Sequence, residues 1–318
     1  MTPFTCLTRN ISIPYQSDFS KPGIISKFMA TTTIASIMSF AIPTLANSPN
    51  TQYSSYCQGN SRLEIVNGKG VCIFPSGNRY EGEISNGVRN GKGVFIYTDG
   101  TRCEGEFRNQ LLNGRGVCTF PNGNRYEGEF KDSMKSGKGV MIFADRTRCE
   151  GTFWNGQLYG KGTCIFPSGN RYEGEFKDNQ RNGKGILFFV DGSRCEGEFR
   201  NGQLNGTGIC NFPSGNRYEG EFRNNNKHGK GVFIYADRTR CEGEFRNGKL
   251  NGKGICIFPN GNRYQGEFLN NTKHGRGTFI YANGTRLQGI WNNGIFLQNQ
   301  QQSQTISPPQ QILNFQRK

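Results

Sequence analysis

Apolar and polar residues alternate over short segments, and the segments recur every 23 residues. In Tyr126-Glu127-Gly128-Glu129-Phe130 the two rings and the glycine fall on one side and the glutamates on the other. That is the pattern of a half-buried strand. A second, more apolar segment follows, as in Gly93-Val94-Phe95-Ile96-Tyr97, after a loop rich in Asn and Gly such as Arg200-Asn201-Gly202-Gln203-Leu204-Asn205. Counting each unit from the residue after its recurring arginine puts position 1 at Tyr80, Cys103, Tyr126, Cys149, Tyr172, Cys195, Tyr218, Cys241, Tyr264 and Leu287, with a degenerate unit beginning at Cys57. A second turn closes each unit in two alternating forms. One starts at Pro75, Pro121, Pro167, Pro213 and Pro259, and the other at Ala, Thr or Val, usually followed by Asp. The period of the full pattern is therefore a pair of hairpins. A fixed period of this kind marks a stacked array with atypical units at its ends.

The cysteines predict the strand register. Alternate units carry them at positions 1 and 16: Cys57 and Cys72, Cys103 and Cys118, Cys149 and Cys164, Cys195 and Cys210, Cys241 and Cys256. Setting 1 against 16 also sets the glycine of position 3 against that of position 14. It places the Phe of position 5 against the glycine of position 12, as Phe107 against Gly114. The Glu of position 4 then meets the basic residue of position 13, as in Glu83 and Lys92, Glu129 and Lys138, Glu244 and Lys253. One register thus accounts for cysteines, glycines and charges together. In an oxidising compartment each cysteine pair would close a loop worth roughly 3 kcal/mol; buried free thiols are the alternative. The Arg before position 1 recurs from Arg79 to Arg286 and shares a face with the glutamates, which predicts a ladder of ion pairs pinning the register.

The run Tyr126-Glu127-Gly128-Glu129-Phe130, followed by Gly137-Lys138-Gly139 at this spacing, resembles the MORN (membrane occupation and recognition nexus) repeat. The resemblance covers about three quarters of the chain. It implies an all-β fold, an elongated, twisted antiparallel sheet of stacked 23-residue β-hairpins. It also implies a role as a membrane-associated or protein-organising module, with lipid binding attributed to some members. The cysteine at position 1 of alternate units departs from the family pattern.

Composition agrees with sheet. Glycine supplies 45 of 318 residues, too many for a helical core, and Phe (25) and Tyr (12) far outnumber Trp (2). Outside the repeats, residues 28–45 form a long apolar stretch after Lys21 and Lys27 that ends in Pro43-Thr44-Leu45-Ala46. This matches a cleaved export signal over 1–46, with a membrane anchor or an unstructured leader as alternatives. A linker at 47–56, a degenerate cap repeat at 57–79 and ten repeats at 80–297, the last incomplete, follow. A Gln/Pro-rich tail at 298–318 reads as disordered. The expected location is periplasmic, cell-surface or secreted.

The net charge of +15 has a definite place. Loop positions 6 to 11 hold Arg89, Arg108, Lys131, Lys135, Lys177, Arg181, Arg200, Arg223, Lys227, Arg246, Lys249 and Lys273 against only Asp132 and Asp178. If all hairpin loops lie along one edge, that edge is basic and roughly 105 Å long at ~4.8 Å per strand. It would suit an anionic lipid or envelope polymer. A protein partner or a second copy of the chain, held on the sheet face with its stripe of Val94, Ile96, Val232 and Ile234, is the alternative. Nucleic acid is a poorer candidate, since no such motif appears. Catalysis finds no support: His228 and His274 are variants of one polar slot, and no nucleophile or phosphate-loop motif occurs. Two sulfurs and no His per hairpin make a poor metal site, so no metal and no cofactor are expected.

Overall fold

The computed structural model describes residues 56–59 and 67–297. The leader and the Gln/Pro-rich tail lie outside them. Among the described residues the chain is all-β, 22 strands with no helix. They fall into two units, one ending at Gly206 and the other beginning at Thr207. Within each, every strand pairs antiparallel with its neighbours in sequence. A repeat is a seven-residue strand and a nine-residue strand, such as Arg125–Lys131 and Met134–Ile142.

The turns explain why the sequence folds this way locally. Positions 7 and 8 both take positive φ, as at Asn86 (51°) and Gly87 (73°) or Asn247 (51°) and Gly248 (80°). That is the two-residue turn whose twist matches the strands, and it selects Asn and Gly. At the other end the two turn forms serve different hydrogen bonds. Asn78, closing the proline form, accepts through Oδ1 from the Thr98 N–H of the next turn (3.0 Å), and Asn262 does the same for Ala282 (2.9 Å). In the second form Asp99 and Asp237 accept from the N–H two residues on, at Thr101 and Thr239 (both 2.8 Å). The proline form closes on itself in the same way, as the Asn124 N–H donates to Asn122 Oδ1 (3.1 Å), and adds the clamp onto the next turn.

The register holds over positions 1 to 3 and then departs from expectation. Cys103 faces Cys118 and Gly105 faces Gly116; Cys241 and Gly243 face Cys256 and Gly254. Beyond a bulge, Phe107 faces Leu112 in its own hairpin, not Gly114. The glycine that makes room for it is Gly91 of the preceding hairpin. The glutamates shift likewise: Glu106 faces Lys92, Glu129 faces Arg115 and Glu244 faces Lys230. The cause is the turn. A two-residue turn sets position 5 against 10, whereas the cysteines set 1 against 16, so two surplus residues must be absorbed in the second strand. They are taken up around the position-12 glycine, whose φ is 107° at Gly91 and 97° at Gly114, a conformation that glycine adopts without strain and a residue with a Cβ does not. The position-4 glutamate then turns over the bulge. The N–H of Lys92 donates to Glu83 and that of Lys230 to Glu221, both at 3.1 Å.

The ion-pair ladder across strands does not form. Eight of these arginines instead pair two residues along their own strand, as Arg79 with Glu81 (2.9 Å) and Arg240 with Glu242 (2.8 Å), and Arg263 donates to the Gln265 side-chain oxygen (3.0 Å). Such exposed pairs are worth at most about 1 kcal/mol and do not select a register.

The opposite face is the core. Tyr80, Tyr126, Tyr172, Tyr218 and Tyr264 are fully buried there. Each hydroxyl donates to the carbonyl of position 4, from 2.8 Å at Glu83 to 3.1 Å at Glu267. Each ring lies across the glycine pair of positions 3 and 14, the only residue type that leaves it space. In the cysteine repeats the same space is taken by Leu112, Leu158 or Leu250, reaching over from position 10. A large ring at position 1 and a small disulfide with a leucine are two fillings of one slot, which is why the period is doubled.

Candidate functional site

Seven of the twelve loop cations lie where a basic edge requires. Arg108, Lys131, Lys177, Arg200, Arg223 and Arg246, all at position 6, are exposed, and Lys249 stands cross-strand from Arg246. The other five, Arg89, Lys135, Arg181, Lys227 and Lys273, do not join them. They occupy position 10, which faces the buried residue of position 5 (Ile84 opposite Arg89, Phe opposite the others) and so points to the aromatic side. Arg89 lies 4.5 Å from the Phe95 ring centre and 5.0 Å from Phe74. Lys135 and Arg181 sit over Tyr126 and Tyr172, both at 5.7 Å. Lys273 is bracketed by Trp291 (4.5 Å), Phe279 (4.7 Å) and Tyr264 (5.7 Å). These cations are packing elements with a ring-face partner. The signal was in the sequence: position 10 alternates between a cation and leucine with the same doubled period as tyrosine and cysteine.

Burial lowers the proton affinity of Arg89, Lys135, Lys227 and Lys273, and it pushes Lys227 down to about 8. Lys227 is only 8% exposed, so its charge opposes folding while it is protonated. The folded chain releases that proton near pH 8, and the unfolded chain holds it to about 10.4. Stability therefore rises between pH 8 and 10, by about 2 kcal/mol from this group. Above pH 10 it falls again, because burial holds the Tyr80 and Tyr264 phenols neutral up to about 12. Lys227→Leu, the residue of the alternate repeats, should flatten the rise. Urea unfolding at pH 7 to 10 measures it, and an unaltered slope would refute the assignment.

A second row of cations has a stronger claim to solvent. Position 13 lies cross-strand from position 4 and hence on the same face as position 6. Lys92, Arg115, Lys138, Lys161, Lys184, Lys230, Lys253 and Arg276 are all exposed. Among the described residues, eight Arg–Glu pairs within 4.0 Å join the arginine before position 1 to position 2, and no position-13 cation has an ion-pair partner at that distance. Of the glutamates between them, Glu83 and Glu221 accept from backbone N–H groups, and Glu106, Glu129 and Glu175 lie over the position-12 glycines. The stripe of Val94, Ile96, Val232 and Ile234 shares this face, half-buried among the Arg–Glu pairs.

Disulfides close hairpins at Cys103–Cys118, Cys149–Cys164 and Cys241–Cys256. Cys72, Cys195 and Cys210 are disulfide-bonded as well. Cys57 stands opposite Cys72 in register, its side chain outside the described residues. His228 and His274 lie at position 11, their carbonyls 3.4 Å from the Tyr218 and Tyr264 hydroxyls.

Comparison with solved structures finds likeness to the TCP10 domain of Danio rerio CPAP in complex with a peptide of Danio rerio STIL. The identity is 13%, over 71% of this chain and 96% of that one, with a TM-score of 0.41. The SAS-4 (dCPAP) TCP domain of Drosophila melanogaster, in complex with a proline-rich motif of Ana2 (dSTIL), is 16% identical over 57% and 99% of the two chains, with a TM-score of 0.36. No curated protein matches the sequence. The MORN repeat family model matches ten consecutive segments, 67–79, 80–102, 103–125, 126–148, 149–171, 172–194, 195–217, 218–240, 241–263 and 264–286. With this pattern repeated over most of its length, and folded as 23-residue hairpins, the chain belongs to the MORN repeat family.

Proposed function

We propose that this MORN scaffold is non-catalytic and docks on an extended anionic surface, of lipid headgroups or envelope polymer, through the exposed cations of positions 6 and 13. The observation that carries this reading is their arrangement: exposed cations of positions 6 and 13 on one face of the strands, with the Glu83 and Glu221 carboxylates between them bonded to backbone N–H groups. Repeated weak contacts from a periodic surface add up, so no single residue dominates. The disulfides fit an oxidising compartment and support an exported protein.

The test is co-sedimentation with phosphatidylglycerol vesicles and with a polyuronate. Binding should fall steeply between low and high salt. Each cation near such a surface is worth about 1 kcal/mol, so neutralising Lys131, Lys177 and Arg200 to Gln should weaken it at least tenfold. Neutralising Lys135 and Lys273, which face the rings, should not. Salt-independent binding, or equal losses from both sets, would sink the reading.

A further inference from the structure

Among the complete repeats of residues 80–286 one hairpin departs from glutamate at position 4, and its departures converge on one face. Position 4 is glutamate in the eight repeats beginning at 80, 103, 126, 172, 195, 218, 241 and 264, but threonine at Thr152. The same hairpin, Arg148–Trp154 with Gln157–Ile165, carries Trp154 at position 6, where most repeats hold Arg or Lys. It also carries Tyr159 at position 11, where others hold Asn, Ser or His. The two rings meet at 6.0 Å and 53°.

The threonine opens a notch. In the neighbouring repeats a position-4 carboxylate covers the position-12 glycine, as Glu129 covers Gly137 and Glu175 covers Gly183. Over Gly160 nothing lies within 4 Å of the place a Cβ would take. Lys138, whose counterparts Lys92, Arg115 and Lys161 each face a glutamate, faces Thr152. The notch thus has a glycine and threonine floor, Lys138 and Lys161 beside it, and a wall of Trp154 (62% exposed) and Tyr159 (45% exposed).

We infer that this notch is a recognition site for an acidic protein segment that presents a carboxylate to Lys138 and an apolar side chain to Trp154 and Tyr159. A purely polyanionic surface is served better by the cation that position 6 holds elsewhere, so exchanging it for tryptophan gives up charge in return for apolar contact. Tilted rings make a cleft for a side chain and not one flat platform for a sugar. Exposed Trp and Tyr beside a cation are the composition of protein-binding hot spots. The inference does not depend on docking to an anionic surface and can stand or fall without it.

The two tryptophans separate the readout, because Trp291 is 4% exposed and Trp154 is open to water. The full chain is titrated with the peptide acetyl-Glu-Glu-Phe-Glu-Glu-amide, its lysine counterpart, its alanine-centred counterpart, phosphatidylglycerol vesicles and a polyuronate. The first peptide should give a saturable blue shift of the solvent-exposed emission, with the alanine-centred one at least tenfold weaker and the basic one silent. By calorimetry, Thr152→Glu, which restores the residue of the other repeats and keeps their fold, should weaken the peptide at least tenfold. Trp154→Lys should also weaken it although it adds a positive charge, whereas docking to an anionic surface should strengthen. Tighter peptide binding by Trp154→Lys, or an unchanged affinity in Thr152→Glu, would reduce the effect to charge attraction and overturn the proposal. A shift with vesicles or polyuronate but with no peptide, or no shift at all, would overturn it equally.

Discussion

Replacing Cys149 and Cys164 together by alanine is expected to cost about 3 kcal/mol of the stability of their part of the sheet. The bridge joins residues 15 apart at the mouth of a hairpin whose other end is already closed by the Asn155–Gly156 turn. Both cysteines are buried, at 3% and 0% exposure, and they stand where alternate repeats hold a tyrosine and a Phe, Met or Leu. The disulfide therefore does two things. It removes chain entropy from the unfolded state, and it fills a slot too small for a ring once Leu158 reaches across it. In an array where each repeat touches only its neighbours, the loss should be local. Urea unfolding followed through Trp154, in the same hairpin, should show it more strongly than unfolding followed through Trp291. Dithiothreitol should lower the wild-type midpoint and leave the double variant's local transition where it is. A cost below about 1 kcal/mol would mean that the sheet is held by its glycine–aromatic packing and not by its bridges.

Gly231→Ala should cost about 3 kcal/mol, near the top of the range for overpacking. An added methyl would meet the Tyr218 hydroxyl and the Cζ and Cε2 of its ring, the last two at 2.6 and 2.7 Å. The ring has nowhere to go. It is fully buried between Phe222 and Phe245, at 5.1 and 5.0 Å, and its hydroxyl is held by the Glu221 carbonyl at 3.0 Å. The test is a double-mutant cycle. In a Tyr218→Leu background, which mimics the leucine that fills the slot in cysteine repeats, Gly231→Ala should cost at least about 1 kcal/mol less than alone. Additive effects of the two substitutions would show that the glycine serves the backbone and not the ring.

Much of the fold was legible in the sequence, and so was the reason for it. The period-two pattern of Tyr126, Gly128 and Phe130 marked the strand and its buried side. The Asn and Gly pairs marked the tight turns, and the cysteines gave the pairing of positions 1 and 16. The site was legible only in part. Arg108, Lys131 and the other position-6 cations are exposed as their loop position implied. Arg89, Lys135, Arg181, Lys227 and Lys273 were not, because a residue two before the bulge glycine and two after the turn points to a face that depends on both. Thr152 was visible as a broken repeat, but what it uncovers was not: its partner Lys138 belongs to the previous hairpin.

By itself the sequence determined the repeat, the strands, the turns and the cysteine register, because each of these rests on contacts between residues close in the chain. Only the tertiary structure decided which charges meet, which cations lie against rings and where the notch opens. A two-residue turn and a cysteine pair impose registers that disagree by two residues. The bulge that reconciles them gives position 5 a new partner at position 10 and leaves the glycine of position 12 and the cation of position 13 to face the neighbouring hairpin.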